Sequence, residues 1–217
     1  MMNIIFIAPP AAGKGTQSEI LKEKYNLEHI STGDLLREVA SSGSELGNQI
    51  QDIMNKGELV SDELMVELLK SKIESLVDTK GIIFDGFPRT IKQAEMLDNL
   101  LKSLNQSIDY VLCLEIEKEM AMRRALGRVT CPECNSIYNL YTSTFKKDNH
   151  CNKCGSMLEK RQDDTEEKFI NRFDTYLEKT KPLIEYYNNK NLLYNIKCCE
   201  EKEDTFKQIE AIINKGN

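Results

Sequence analysis

Lys14 and Thr16 stand in the stretch "APPAAGKGT", Ala8 to Thr16, directly after the apolar run "NIIFI". An ammonium in a glycine-flanked turn followed by a hydroxyl suits nucleotide phosphates. The lysine reaches the β and γ phosphates, and the hydroxyl orients Mg²⁺ or its waters. The usual pattern is G-x-x-x-x-G-K-[ST]; here Ala8 replaces the first glycine and Gly15 separates Lys14 from Thr16. Pro9 and Pro10 have no N–H, so anion-binding amides must come from Ala11, Ala12, Gly13, Lys14, Gly15 and Thr16. Ala11 leaves two conformations open, a strained one at positive φ and a relaxed one at negative φ. The second is expected, because a loop with two alanines and two prolines suits a conformation those residues tolerate.

Two Cys-x-x-Cys pairs, Cys131/Cys134 and Cys151/Cys154, are separated by sixteen residues, the spacing of a four-thiolate zinc site. Four thiolates leave no open coordination position, so the metal is structural. His150 adjoins a ligand and is a lesser candidate to replace one. Lysine outnumbers arginine about three to one, so lysine is the default solvated cation and the arginines carry information. Arg37, Arg89, Arg123, Arg124, Arg128, Arg161 and Arg172 offer the rigid two-pronged donor that a phosphoryl group needs and lysine lacks. Asp85 ends the apolar run "GIIF"; a carboxylate there either holds Mg²⁺ through water or is an ordinary strand-end residue.

The elements that must position these groups follow from periodicity. "NIIFIA", "GIIFD", "DYVLCLEI" and "NLLYNI" are short continuous apolar runs, the pattern of parallel strands buried on both faces. "KGTQSEILKEKY", "SDELMVELLKSKIESL", "TIKQAEMLDNLLKSL" and "EKEMAMRRALG" carry helical spacing between them. The alternation predicts a doubly wound α/β core with a strand ending near Ala8 and a helix starting near Lys14. From Ser31 to about Val60 helical signals follow one another without a strand, which suggests a helical insertion. From about Arg128 to Lys160 periodicity gives way to cysteine pairs and turns, which suggests a metal-stabilised lobe.

With "GKGTQ" after the first strand, "STGDLLR" at 31–37 and "FDGFPRT" at 84–90, the chain resembles the adenylate kinases through nearly its whole length, in their long form with a zinc-bearing lid. The resemblance implies a three-layer α/β fold of the P-loop NTPase type: core 1–30, acceptor-binding insertion 31–60, core 61–127, zinc lid 128–160 and core 161–217. It implies phosphoryl exchange between Mg-ATP and AMP to give two ADP, with Mg²⁺ on the nucleotide and a structural zinc. Around AMP it assigns Thr32, Arg37, the segment Glu58, Leu59 and Val60, then Gly86, Phe87, Pro88, Arg89 and Gln93. Arg124 and Arg128 approach the donor, and Arg161 and Arg172 close over the transferring group. Tyr138 either packs on the donor or fills a small lid cluster. Gln93 reads adenine or, three residues after Thr90, completes a capping box; Asp34 is a ligand or a helix cap. The family usually shows "GAPGAGKGT" at the loop, and a glycine near the donor adenine where Cys198 stands in "IKCCEE"; Cys199 follows it at that base. The two adjacent cysteines read as ordinary packing residues.

A chain of 217 residues, 40% hydrophobic and 29% charged, can bury a full core. Its net charge of −6 argues against broad nucleic-acid binding. Another nucleoside monophosphate kinase, or an ATP-regulated protein with a nucleic-acid-binding zinc ribbon, is the alternative; the mixed charge from Thr130 to Glu159 weakens the ribbon. No run reaches the roughly 18 apolar residues of a membrane span. The seven cysteines, odd in number with four in metal spacing, fit a reducing compartment. The expectation is therefore a cytoplasmic enzyme of small nucleotides, monomeric, with neither membrane nor nucleic acid as partner.

Overall fold

The computed structural model describes residues 1–55, 60–134, 136–145, 147, 149–161 and 164–216; the Glu58 and Leu59 assignments lie outside them. Its centre is a five-stranded, wholly parallel sheet. The strands are β1 (Met2–Ile7), β2 (Glu28–Ser31), β3 (Gly81–Asp85), β4 (Tyr110–Glu115) and β8 (Leu193–Lys197), in the order β2-β3-β1-β4-β8. Successive residues of β1 enter opposite layers. Ile5 and Ile7 join one buried cluster, Ile4 and Phe6 the other, so the run is continuously apolar because both faces are covered.

One layer contains α4 (Asp62–Glu74), α5 (Ile91–Ser103) and α8 (Pro182–Asn188), through Leu69, Leu97, Leu101 and Leu183. The opposite layer contains α1 (Lys14–Tyr25) and α9 (Lys202–Gly216), through Leu21, Phe206, Ile209 and Ile213. The four expected strands form. β2 was absent from the expectation because "EHIS" is a short edge strand in which only Ile30 is buried, leaving no apolar run to read.

Two smaller parts flank the sheet's C-terminal edge. Helices α2 (Thr32–Ala40) and α3 (Glu45–Asn55) follow β2 directly. Past α6 (Lys118–Gly127), strands β5 (Arg128–Thr130), β6 (Ile137–Asn139) and β7 (Glu159–Lys160) make a three-stranded antiparallel sheet in the order β6-β5-β7. The chain then enters α7 (Glu166–Thr175) and a π-helical turn at Tyr176–Thr180. Among the described residues no helix is long and apolar enough to cross a membrane.

Candidate active site

The strands β1 and β3 end side by side, and the loops leaving their C-terminal ends face one cleft of about 940 Å³. The loop after β1 turns sharply into α1. Gly13 caps that helix at φ 97 with no side-chain cap. The first internal bond of the turn runs from the Gln17 amide to the Gly13 carbonyl, 3.1 Å. The amides of Gly13, Lys14, Gly15 and Thr16 therefore have no acceptor among the described residues, and they stand at the positive end of the helix dipole. This is an anion site made of backbone.

The expectation for Ala11 is corrected. Ala11 has φ 60, in the left-handed region, so the loop keeps the turn and alanine carries its strain. The adjoining Ala12 amide is turned inward to the Pro9 carbonyl at 3.4 Å, which leaves it unavailable as a ready anion donor. The Ala11 methyl is half-buried against the Ala121, Ala125, Phe169 and Phe173 cluster.

Lys14 Nζ lies 2.7 Å from Asp85 Oδ1, and His29 Nε2 lies 3.1 Å from Asp85 Oδ2. Burial alone raises the Asp85 pKa; the His29 hydrogen bond and the Lys14 ammonium outweigh it and bring it down to about 2. The carboxylate stays ionised as a hard oxygen donor at the end of β3, which is what a magnesium shell requires. His29 was missed in the sequence, because it lies on the unrecognised strand β2, opposite Ile83 in β3.

Next to Asp85, Gly86 holds φ 85, and a β-carbon there would come within 2.7 Å of Thr32 Oγ1; only glycine lets α2 and the β3 turn approach so closely. Arg89 Nε donates to the Gly86 carbonyl at 2.8 Å. Its guanidinium remains in reach of solvent across the open cleft. Burial by surrounding protein lowers its pKa, Asp85 opposes that shift, and the like charge of Arg172 adds to it. Both guanidiniums line the same cleft as the loop amides and Lys14, and together they offer a second anion site there.

Arg124 bridges two carbonyls, Ala12 at 3.4 Å from Nη1 and Cys199 at 2.6 Å from Nη2. Arg128 is held by both oxygens of Asp164, at 2.7 and 2.5 Å. Arg161 Nε donates to Thr130 Oγ1 at 3.1 Å. These three line the cleft together with Arg37, Arg172, Thr32, Pro88, Tyr138 and Cys199. Arg37 is exposed and paired with Asp34 at 2.5 Å. The α2 cap is Ser31, whose hydroxyl accepts from the Asp34 amide at 3.4 Å, so Asp34 is a first-turn residue and not the cap.

Three predicted residues stand off the cleft wall. Phe87 is buried in the core and Val60 is half-buried just ahead of α4. Gln93 has both ends of its amide engaged. Oε1 accepts from the Arg89 amide at 2.7 Å, and Nε2 donates to Asp62 Oδ1 at 2.7 Å, while its backbone amide donates to Thr90 Oγ1 at 3.2 Å. The Thr90 half of the capping box is present, while the Gln93 side chain reaches the amide of Arg89, one residue before the cap.

In the antiparallel part, the sulfurs of Cys131, Cys134, Cys151 and Cys154 all lie within 4.8 Å of one another. Cys131–Cys154 and Cys134–Cys151 are separated by 3.3 and 3.5 Å. A tetrahedral ion with Zn–S bonds near 2.3 Å separates its sulfurs by about 3.8 Å, so the donor set fits zinc in spacing and chemistry. Tyr138 packs beside Phe145 and Val129, its hydroxyl 3.3 Å from Cys151 Sγ.

A family model described as adenylate kinase matches residues 6–192. An adenylate kinase of Archaeoglobus fulgidus is 45% identical over 214 residues, 99% of each chain. Those of Clostridium tetani and Thermosipho africanus are 41% and 40% identical, over 100% and 99% of this chain and the whole of each relative. With a phosphate loop, arginines lining the same cleft and likeness along the full length, this chain belongs to the adenylate kinase family.

Proposed function

We propose that the enzyme transfers the terminal phosphoryl group of Mg-ATP reversibly to AMP, giving two ADP. The observation that carries this is one cleft lined both by the loop amides with Lys14 and by the guanidiniums of Arg89 and Arg172. No covalent nucleophile is required. Phosphoryl transfer is accelerated by alignment and by neutralising charge spread over the moving group.

Lys14 leaves Asp85 for the donor phosphates, while Thr16 and Asp85 are the residues that would hold Mg²⁺. Bound there, the ion would neutralise charge on the donor phosphates. Arg37 and Arg89 hold the acceptor phosphate, and Arg161 and Arg172 close over the group in flight. Arg124 and Arg128 approach from the lid edge, Arg128 held in orientation by Asp164. Gln93 reads adenine by exchanging Asp62 for the base edge, as a primary amide can pair with both a donor and an acceptor. Tyr138 adds contact to the donor. The four cysteines hold a structural zinc.

The insertion 31–60 and the lid 128–160 act as mobile lobes on the core, and their closure excludes water that would otherwise hydrolyse ATP. The enzyme works on small nucleotides as a cytoplasmic monomer, without nucleic acid or membrane. The test is ADP formation from ATP, AMP and Mg²⁺ by the parent and by Lys14→Ala. The parent is expected to equilibrate the three nucleotides and the variant to lose nearly all turnover while folded. A fully active Lys14→Ala enzyme overturns the assignment of the phosphate loop.

A further inference from the structure

The Ala12 carbonyl is a point of contact between distant parts of the chain. The Cys198 thiol donates to it at 3.3 Å, and Arg124 Nη1 does so at 3.4 Å. The turn carrying Cys198 is itself fastened: the Cys198 amide donates to the Glu115 carbonyl and the Cys199 amide to Thr205 Oγ1, each at 2.9 Å. Cys198 is buried, and desolvation raises its pKa to about 11, so the thiol keeps the proton it donates.

Ala12 lies between two left-handed residues, Ala11 at φ 60 and Gly13 at φ 97. No repeating hydrogen-bond pattern holds such a turn, and its own internal bond is the long one from the Ala12 amide to Pro9. In a trans peptide the C=O and N–H point in opposite directions. Whatever fixes the Ala12 carbonyl therefore aims the Gly13 amide, which has no acceptor among the described residues.

We propose that Cys198 is a positioning residue of the phosphate loop: its thiol shares the Ala12 carbonyl with Arg124, sets the Ala12–Gly13 peptide plane and aims the Gly13 amide at the donor phosphates. Naming the donor rests on the function proposed above; the aim of the amide does not. A glycine at this position offers no atom that can reach the carbonyl, so the contact belongs to this chain's cysteine.

The test compares the parent with Cys198→Ala, Cys198→Ser and Cys198→Val by amide NMR of the nucleotide-free protein and by steady-state kinetics. Cys198→Ala is expected to move the Gly13 amide resonance and to raise the ATP KM about three- to fivefold, the worth of one weak hydrogen bond, leaving the AMP KM nearly unchanged. Cys198→Ser, which keeps a donor, is expected to recover most of both; Cys198→Val, which fills the space without one, is expected to follow alanine and serves where alanine does not fold. An unmoved Gly13 resonance in alanine and valine overturns the proposal, as does a rise of the ATP and AMP KM values together. A parent that forms no ADP defeats the proposed function instead, and the Gly13 resonance still decides the role of Cys198.

Discussion

Replacing Ala11 by glycine tests the conformation of the phosphate loop through its energy. At φ 60 an alanine carries roughly 1–2 kcal/mol of steric strain that glycine does not. Against this relief, glycine gives the unfolded chain more freedom, about 0.4–1 kcal/mol. The lost methyl is half-buried and accounts for about 0.4 kcal/mol, half the value of a fully buried one. From mid-range values, Ala11→Gly is expected to stabilise the protein by about 0.4 kcal/mol, a small effect alone. Ala8→Gly removes a methyl that is also half-buried, at a residue without positive φ, so it bears the same kinds of loss without the relief. The unfolded-state and methyl effects cancel between the variants, leaving a difference of about 1–2 kcal/mol in favour of the Ala11 variant. That difference corresponds to roughly 2–8 °C in Tm for a chain of this size. Urea and thermal unfolding of nucleotide-free protein measure it. Equal destabilisation by both glycines would refute the left-handed turn and restore the relaxed loop expected from the sequence.

The remaining predictions concern charge and metal. Arg89→Lys is expected to fold like the parent and to lose about tenfold to a hundredfold in turnover, since a point charge replaces a fork that aligns the acceptor; parental kcat and AMP KM would remove Arg89 from the acceptor phosphate. Asp85, with its pKa brought down to about 2, favours the folded state above the ordinary carboxylate range by roughly 2 kcal/mol, and that contribution disappears as pH falls from about 4 through 2. The stability gap between the parent and Asp85→Asn should accordingly narrow over this acid window, and a gap independent of pH contradicts the ion pair. Cys131→Ser is expected to lose stoichiometric zinc and to melt below the parent, because little apolar core holds that lobe; zinc retained one-to-one with a parental Tm would contradict the four-sulfur site.

What was legible in the sequence is what local pattern determines. "GKGT" between an apolar run and a helix, the cysteine pairs, and arginines in a lysine-rich chain depend on residue type and spacing; the loop and six of the arginines line the cleft, and the four cysteines cluster in the antiparallel part. The illegible parts depend on partners far along the chain. Strand β2 exists because Ile30 and its neighbours pair with β3, and it carries His29 to Asp85, fifty-six residues away. The positive φ of Ala11 is accompanied by bonds that Cys198 and Arg124 make to Ala12 from across the core, while local conformational cost alone points the other way. Gln93 was legible as a cap and as a base reader; its bond to Asp62 is set by how α4 and α5 pack, which periodicity does not encode.

Acceptor choice tests the central claim most directly. With ATP and Mg²⁺ present, a coupled assay for nucleoside diphosphate is run over AMP, CMP, UMP and GMP. Two anion sites in one cleft, with Gln93 reading the base, predict rapid ADP formation with AMP and far slower transfer to the other three. Absence of transfer to AMP, or transfer that favours another base, contradicts the account.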